Sequence, residues 1–297
     1  MKKKTQGAPA PNYVKWLWYA ALTPFVLLAA MLTLTALGAF GRMPSFEELE
    51  NPRSNIATEI YSEDGKVIGT FFVQNRSYVQ YADLYPSDST LHIRLAGHEV
   101  PPIVAALIAT EDVRFRTHSG IDIPSLARVA VKTLLLQNTS QGGGSTITQQ
   151  LIKNVTTEDD VTVQRKLVEI FRALDLEKEY TKEEIMEWYL NVVYFGEGAS
   201  GVQMAANTYF GKDVRDLTLA QCASIIGITN NPSRYSPFAS VENNKKRTKT
   251  ILYEMYDQDY ISHEEYTAAV AEVDNDELHF IRGKNEVYQQ EIYSYYV

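Results

Sequence analysis

The sequence is poor in cysteine and in positive charge, and each scarcity excludes a class of protein. Cys222 is the one cysteine among 297 residues, so no intramolecular disulfide can form and the core must stabilise the fold. Cys222 lies in LAQCASIIGI, where a small buried filler is the expected role because free cysteines are usually buried. The formal net charge of −9 argues against a nucleic-acid partner, since phosphate binding needs a basic surface.

Long uncharged runs are also scarce, with one exception near the N-terminus. Residues 16–40 carry no charged side chain, and such a run can cross a hydrocarbon core of about 30 Å. Lysines precede the run and glutamates follow it, which predicts that the N-terminus lies inside. We therefore expect a cytoplasmic tail at 1–15 and a transmembrane helix at 16–40. A cleaved secretion signal is the alternative, and the length of the run disfavours it.

The rest of the chain divides into a short β segment and a long helical region. Between residues 58 and 81, β-forming residues alternate around Asp64 and Gly65, a pattern typical of a hairpin. Helical periodicity prevails beyond residue 100. We expect a mainly α fold, with the small hairpin in a membrane-proximal linker at 41–90 and one helical domain at 91–275.

The segment PPIVAALIATED places a carboxylate at the end of an apolar helix. Helical spacing puts Glu111 on one stripe with Val104 and Leu107. A carboxylate that is partly desolvated at a helix C-terminus is suited to accepting a proton. Judged on this stripe alone, a rim glutamate that pairs with Arg114 or Arg116 is the simpler interpretation.

The segment QGGGSTITQQLIKN places a glycine run before a helix that Ser145 can cap. Thr146, Gln149, Gln150 and Lys153 then share one helical face. A polar face with a cation beside a helix N-terminus is typical of an anion site. A flexible hinge before a solvated helix is an equally good local explanation. A nucleotide P-loop is not supported, because no GxxxxGK[ST] motif is present.

The segment QRKLVEIFRALDLEKEYTKEEIMEWYLN predicts two further helices. Arg165, Glu169 and Arg172 form one row of the first helix. Locally this row is typical of a surface ladder of ion pairs, each adding about 0.2–0.5 kcal/mol. Thr181 and Glu184 form a capping box, which predicts the start of the second helix.

Five segments together resemble, in order and spacing, the motifs of the peptidoglycan glycosyltransferases, glycosyltransferase family 51. They are EDVRFRTHSGID (111–122), GGSTITQQLIKN (143–154), RKLVEIFRALDLE (165–177), KEEIMEWYLN (182–191) and NNPSRYSP (230–237). The resemblance covers roughly residues 55–275. The hairpin is similar to the start of class A penicillin-binding proteins, whose N-terminal portion this chain resembles.

The resemblance implies a lysozyme-like domain that polymerises lipid II on the outer face of the cytoplasmic (inner) membrane. The acceptor 4-hydroxyl would attack the donor's anomeric carbon with inversion, giving a β-1,4 bond and releasing undecaprenyl pyrophosphate. Implied partners are lipid II, the growing glycan, the membrane, and proteins of cell-wall synthesis or division. Moenomycin, a lipid-pyrophosphate mimic, should bind. The segment 123–137 would touch the bilayer, and an ordinary core helix is the alternative.

The resemblance also assigns roles to residues. Glu111 would be the general base, and Glu169 would lie by the donor pyrophosphate, directly or through Mg²⁺ or another divalent cation; no organic cofactor is implied. The implied substrate-binding residues are Asp112, Phe115, His118, Ser145, Thr146, Gln149, Gln150, Lys153, Asn154, Arg165, Lys166, Glu187 and Asn191. Cations among them would offset the charge of the leaving pyrophosphate. Two positions depart from the family pattern: Val161 stands where many members have Arg, and Arg116 where Tyr is frequent.

Two other functions remain as alternatives. A lysozyme-like glycan hydrolase or lytic transglycosylase usually needs a second carboxylate beside the sugar bond, whereas the second glutamate here lies in a cationic segment. A non-catalytic membrane scaffold would not need the motif residues. Because SxxK, KTG and SxN are lacking in a suitable setting, we expect no transpeptidase in this chain. Residues 276–297 are expected to be a tail leading to an absent C-terminal transpeptidase region.

Overall fold

The computed structural model describes residues 12–36, 58–61, 67–71, 78–87, 91–136, 144–155 and 163–281. The helices are α1 (Asn12–Ala36), α2 (Pro102–Glu111), α3 (Ile123–Leu136), α4 (Ile147–Val155), α5 (Val163–Glu179), α6 (Lys182–Val192), α7 (Val202–Phe210), α8 (Leu219–Thr229), α9 (Pro232–Tyr235), α10 (Val241–Asp257) and α11 (His263–Asp274). The strands are β1 (Thr58–Tyr61), β2 (Val67–Phe71), β3 (Ile93–Leu95) and β4 (His98–Val100). The predicted mainly α class is confirmed.

The helix α1 lies where the membrane anchor is predicted. Within the ranges that the structure describes, however, no helix combines the length and the apolar character needed to cross a membrane. The transmembrane helix is therefore not confirmed, and it stays a prediction.

In the part of the chain that the structure describes, two antiparallel hairpins precede the helical domain. In the first, β1 pairs with β2 and Thr58 lies opposite Phe71, which confirms the predicted hairpin. Its predicted turn, Asp64 and Gly65, lies outside the described residues. The second hairpin joins β3 to β4 through a tight turn at Ala96 and Gly97, both with positive φ.

The helix α2 runs through the centre of the domain. Every residue from Pro102 to Ala109 is buried, and α2 packs against α8 and α10. The helix is thus apolar on all sides rather than along one stripe. Its burial places the C-terminal residue, Glu111, where the core meets the surface.

Side-chain caps fix where several helices begin. Thr181 and Glu184 form the predicted capping box of α6, and Thr218 with Gln221 forms another at α8. On α8, Cys222 is buried as expected, and burial raises the pKa of its thiol to about 12. A thiol with this pKa stays protonated at neutral pH, so Cys222 is an inert filler.

The loop after α2 lies directly on the backbone of α5. Gly120 has φ of +89°, and a Cβ added there would lie 2.5 Å from the carbonyl oxygen of Ala173. Only glycine accommodates both this conformation and this approach without strain. The close contact sets the position of the first motif relative to the third.

Candidate active site

Glu111 is held from α4 by one hydrogen bond. Nε2 of the Gln150 side-chain amide donates to Oε2 of Glu111 at 3.1 Å. The hydroxyl of Tyr189 on α6 donates to Oε1 of Gln150, also at 3.1 Å. Glu111 is partly exposed, whereas Tyr189 is fully buried. Burial, and then the charge of Glu111, raises the pKa of Tyr189. The phenol therefore keeps its proton and remains a donor at neutral pH.

The two arginines of the first motif pair with carboxylates other than Glu111. Arg114 makes a bidentate contact with Asp122, with Nη2 2.6 Å from Oδ1 and 2.8 Å from Oδ2. Arg116 pairs with Glu183. The simpler interpretation of the sequence, in which Glu111 is a rim residue paired with Arg114 or Arg116, is therefore wrong.

Asp112 joins the first motif to the start of α4. Its Oδ2 accepts from the backbone N–H of Ile147 at 3.0 Å and lies 2.9 Å from Nε2 of His118. The N–H of Gly120 donates to Nδ1 of His118 at 3.2 Å, so the ring proton is on Nε2 and is donated to Asp112. A carboxylate at a helix N-terminus is stabilised by the helix dipole. Asp112 and His118 thus hold the loop on α4.

A partly buried ion pair that the sequence did not suggest supports this loop. Lys182 pairs with Glu177, donates to the carbonyl oxygen of His118 at 2.8 Å, and lies 4.4 Å from the ring centre of Phe115. Burial lowers the pKa of Lys182. Glu177 ends the third motif and Lys182 begins the fourth, but only the fold reveals that the two side chains pair. Phe115 is buried as a packing partner within this network.

A second charged cluster surrounds Glu169. Nζ of Lys166 lies 2.9 Å from Oε2 of Glu169, donates to Oγ of Ser145 at 2.8 Å, and lies 3.4 Å from Oε1 of Gln149. Glu169 is 4% exposed and Arg172 is 6% exposed, so the surface ladder expected from the local pattern is wrong. The Lys166 side chain keeps 37% exposure, which leaves its ammonium accessible to an anion.

Consecutive residues of α4 connect the two clusters. Gln150 contacts Glu111, and Gln149 contacts Lys166. Consecutive helical residues point about 100° apart, so one helix can face both clusters. Thr146 caps this helix by accepting from the N–H of Gln149 at 3.2 Å. A carboxylate and a cation–carboxylate pair therefore meet around a single helix N-terminus, an arrangement suited to a base and an anion site.

Other predicted substrate-binding residues lie apart from these clusters. Lys153 and Asn154 are exposed at the C-terminal end of α4, whereas Ser145 and Lys166 meet at its N-terminal end. The side chain of Arg165 lies outside the described residues, as does Val161. Substrate roles for Lys153, Asn154 and Arg165 stay predictions.

Glu187 and Asn191 clamp an extended segment onto α6. The carboxylate of Glu187 accepts from the Tyr78 hydroxyl and from the N–H of Tyr81. Asn191 Oδ1 accepts from the N–H of Val79 at 2.9 Å, and its Nδ2 donates to the Val79 carbonyl at 2.8 Å. Both side chains are engaged in positioning this segment. Their predicted contact with substrate stays a prediction.

A second carboxyl, which the sequence did not suggest, lies near Glu111. Burial raises the pKa of Glu254 on α10, and the charge of Glu111 acts in the same direction. One turn later, Gln258 Nε2 donates to the carbonyl of Ala109 at 3.0 Å, which fixes α10 against the end of α2. The sequence gives little indication that Glu254 belongs near the site, because Glu254 lies outside all five motifs.

The described residues do not form a metal site of their own. No group of three or more His, Cys, Asp or Glu side chains lies together among them in a way that suits a cation. Glu169, the predicted contact to a divalent cation, instead receives the ammonium of Lys166 on Oε2. These residues alone therefore do not fit a metal.

Comparisons with known proteins identify the family. A model of the Transglycosylase family matches residues 64–256, more than half of the chain. Penicillin-binding protein 1A of Pseudomonas aeruginosa is 37% identical over 270 residues, which are 90% of this chain and 30% of that protein. Penicillin-binding protein 1A of Vibrio cholerae is 37% identical over 257 residues, 84% of this chain and 29% of that protein.

This chain spans about 30% of the length of these curated relatives. A crystal structure of penicillin-binding protein 1A from Haemophilus influenzae is 26% identical and covers 73% of this chain and 20% of that one, with a TM-score of 0.38. The chain belongs to the transglycosylase family, as the five motifs in its sequence predict.

Proposed function

We propose that the chain is a peptidoglycan glycosyltransferase that polymerises lipid II into β-1,4-linked glycan strands. The observation that carries the proposal is the pair of clusters joined by Gln149 and Gln150 of α4. One cluster offers a carboxylate for the acceptor, and the other offers a cation for the leaving group. Membership of the transglycosylase family supports the same reaction.

Glu111 acts as the general base. It takes the proton of the acceptor 4-hydroxyl as that oxygen attacks the anomeric carbon of the donor. Gln150 occupies Oε2 of Glu111, so Oε1 is the oxygen that receives the proton. A positioned general base typically contributes a factor of about 10²–10⁴ in rate.

Lys166 stabilises the pyrophosphate that leaves the donor. Its ammonium lies beside Ser145 and the N-terminus of α4, where backbone N–H groups and the helix dipole favour negative charge. Glu169 holds Lys166 in place through its ion pair. A fixed cation close to the negative charge that develops on the pyrophosphate lowers the barrier to the departure of this group.

A divalent cation at Glu169 would have to be held jointly with the pyrophosphate. Mg²⁺ in proteins is commonly bound by one or two carboxylates together with substrate phosphates. The mechanism proposed for this chain contains no metal step, because Lys166 already occupies Oε2 of Glu169.

The place of action is the outer face of the cytoplasmic membrane. The uncharged run at 16–40, with lysines before it and glutamates after it, supports a single anchor with the N-terminus inside. Ile123, at the start of α3, is 71% exposed, which supports contact between α3 and the bilayer. Protease added outside intact spheroplasts should digest the domain after residue 42. Protection of the whole domain would exclude this topology.

The central experiment measures polymerisation of labelled lipid II by the detergent-solubilised chain. Glu111→Gln keeps the size of the side chain and removes its basicity, so the rate should fall by about 10²–10⁴-fold. Glu242→Gln is the matched control, because the side chain of Glu242 is 71% exposed. A Glu111→Gln variant that elongates lipid II at more than about a tenth of the wild-type rate would rule out Glu111 as the base.

A parallel incubation with uncrosslinked glycan tests the hydrolytic alternative. Glu254 is the observation that favours this second candidate, because its carboxyl is hydrogen-bonded to the side chain of Thr110, the residue before Glu111. The proposed function predicts polymer from lipid II and no cleavage of glycan. Release of glycan fragments without polymer would instead indicate a hydrolase or lytic transglycosylase.

A further inference from the structure

The hydroxyl of Tyr189 lies next to the proposed active site, behind Gln150 and away from the substrate. Among the described residues, its one hydrogen bond is to Oε1 of Gln150. The Tyr189 side chain is 1% exposed, so water does not compete for this bond. A buried tyrosine hydroxyl needs a partner, and here the partner is the amide that touches Glu111.

The amide of Gln150 has two ends that are not interchangeable. Its oxygen only accepts hydrogen bonds and its nitrogen only donates them. The Tyr189 hydroxyl must donate, since the carboxylate of Glu111 at the other end of the amide only accepts. Both neighbours therefore select one orientation, with the oxygen towards Tyr189 and the nitrogen towards Glu111.

We propose that Tyr189 is a positioning residue for the general base. By fixing the amide of Gln150, it makes that amide hold Oε2 of Glu111 and leaves Oε1 directed at the acceptor hydroxyl. Tyr189 does not touch substrate, so its effect passes entirely through Gln150. The inference rests on the proposed function, because it presumes that Glu111 accepts a proton.

Loss of this fixed orientation should lower turnover more than substrate binding. In Tyr189→Phe the ring still fills the core, but the Gln150 amide is held only by its bond to Glu111 and its orientation is no longer fixed from both ends. The kcat for lipid II polymerisation should fall about tenfold, the effect expected for one hydrogen bond that acts on the transition state. The KM should change by less than about threefold, since Tyr189 itself touches no substrate.

A double-mutant cycle with Gln150→Met separates positioning from packing. If Tyr189 acts only through Gln150, Tyr189→Phe should lower kcat by less than about twofold in the Gln150→Met background. A packing role would give the same loss in both backgrounds. The double variant leaves no buried polar group unpaired, whereas Gln150→Met alone leaves the buried Tyr189 hydroxyl without a partner, so the coupling is obtained from all four proteins of the cycle.

Tyr209→Phe is the matched control. Tyr209 is also fully buried, and its hydroxyl donates to the carbonyl of Phe195 at 2.8 Å and not to Gln150. The substitution removes the same atom from the core. Its kcat should stay within about twofold of the wild type, with thermal unfolding recorded for every variant to compare folding.

The possible results distinguish this inference from the function on which it rests. If Tyr189→Phe matches Tyr209→Phe in kcat, or loses the same factor with and without Gln150, the positioning role is overturned. The proposed function then survives as long as Glu111→Gln lowers the polymerisation rate by about 10²–10⁴-fold. If the wild-type chain polymerises no lipid II, both proposals fail.

Discussion

Gly120→Ala should destabilise the domain more than alanine substitution at another glycine of similar conformation. Gly120 has φ of +89°, and the new Cβ would lie 2.5 Å from the carbonyl oxygen and 2.7 Å from the carbonyl carbon of Ala173. Both atoms belong to the backbone of α5, so they cannot rotate away as a side chain would. The loop or the helix must move to accommodate the methyl group.

Gly97 separates this contact from backbone strain. It has φ of +84°, and a Cβ there would meet nothing within 4 Å. Both alanine variants should incur about 1–2 kcal/mol of conformational strain, partly offset by the reduced freedom of the unfolded chain. Gly120→Ala should lose about 1–3 kcal/mol more, the usual cost of overpacking.

Denaturant unfolding of the two variants measures the difference. We expect Gly120→Ala to have the lower free energy of unfolding by about 1–3 kcal/mol, with an unchanged denaturant slope. In a domain of this size each kcal/mol corresponds to about 2–4 °C in Tm. Variants that agree to within about 0.5 kcal/mol would show that the approach to α5 costs nothing, contrary to the structure.

Two further predictions concern charged groups. Lys166→Ala should both weaken moenomycin binding and slow polymerisation. Lys246→Ala is the control and should change neither, because the Lys246 side chain is 74% exposed. An unchanged moenomycin affinity of Lys166→Ala would argue against the anion site. For Glu254, the pKa is raised above its ordinary value of 4.5, so the folded state binds more protons than the unfolded state just above that pH. The unfolding free energy of the wild type should therefore fall relative to Glu254→Gln as pH rises from 4.5 towards neutrality, and parallel pH curves in denaturant titrations would contradict the assignment.

The parts of the fold that depend on local sequence were predictable. The capping box of Thr181 and Glu184 fixes the start of α6 because its two hydrogen bonds involve residues three apart. Glu111 is at the end of its helix as the sequence indicates, since α2 ends where its apolar run ends. The family follows from five motifs whose order and spacing are visible in the chain.

The partners of these residues were not predictable, because they come from distant parts of the chain. Glu169 is buried by packing against α4, although its row on α5 reads as an exposed ladder. The hydrogen bond between Tyr81 and Glu187 joins positions 106 residues apart. Tyr189 lies inside a recognised motif, but nothing in the sequence tells which hydrogen-bond acceptor its hydroxyl will meet.

The side chain of Asn191 has a consequence for the dynamics of the segment that it holds. It offers Val79 one acceptor and one donor, as the backbone of an adjoining strand would. The amide proton of Val79 can exchange with solvent only when this side chain swings away or α6 opens. Aspartate in its place would have no N–H for the Val79 carbonyl. A single side-chain amide thus gives the backbone of Val79 the exchange protection of a helix core.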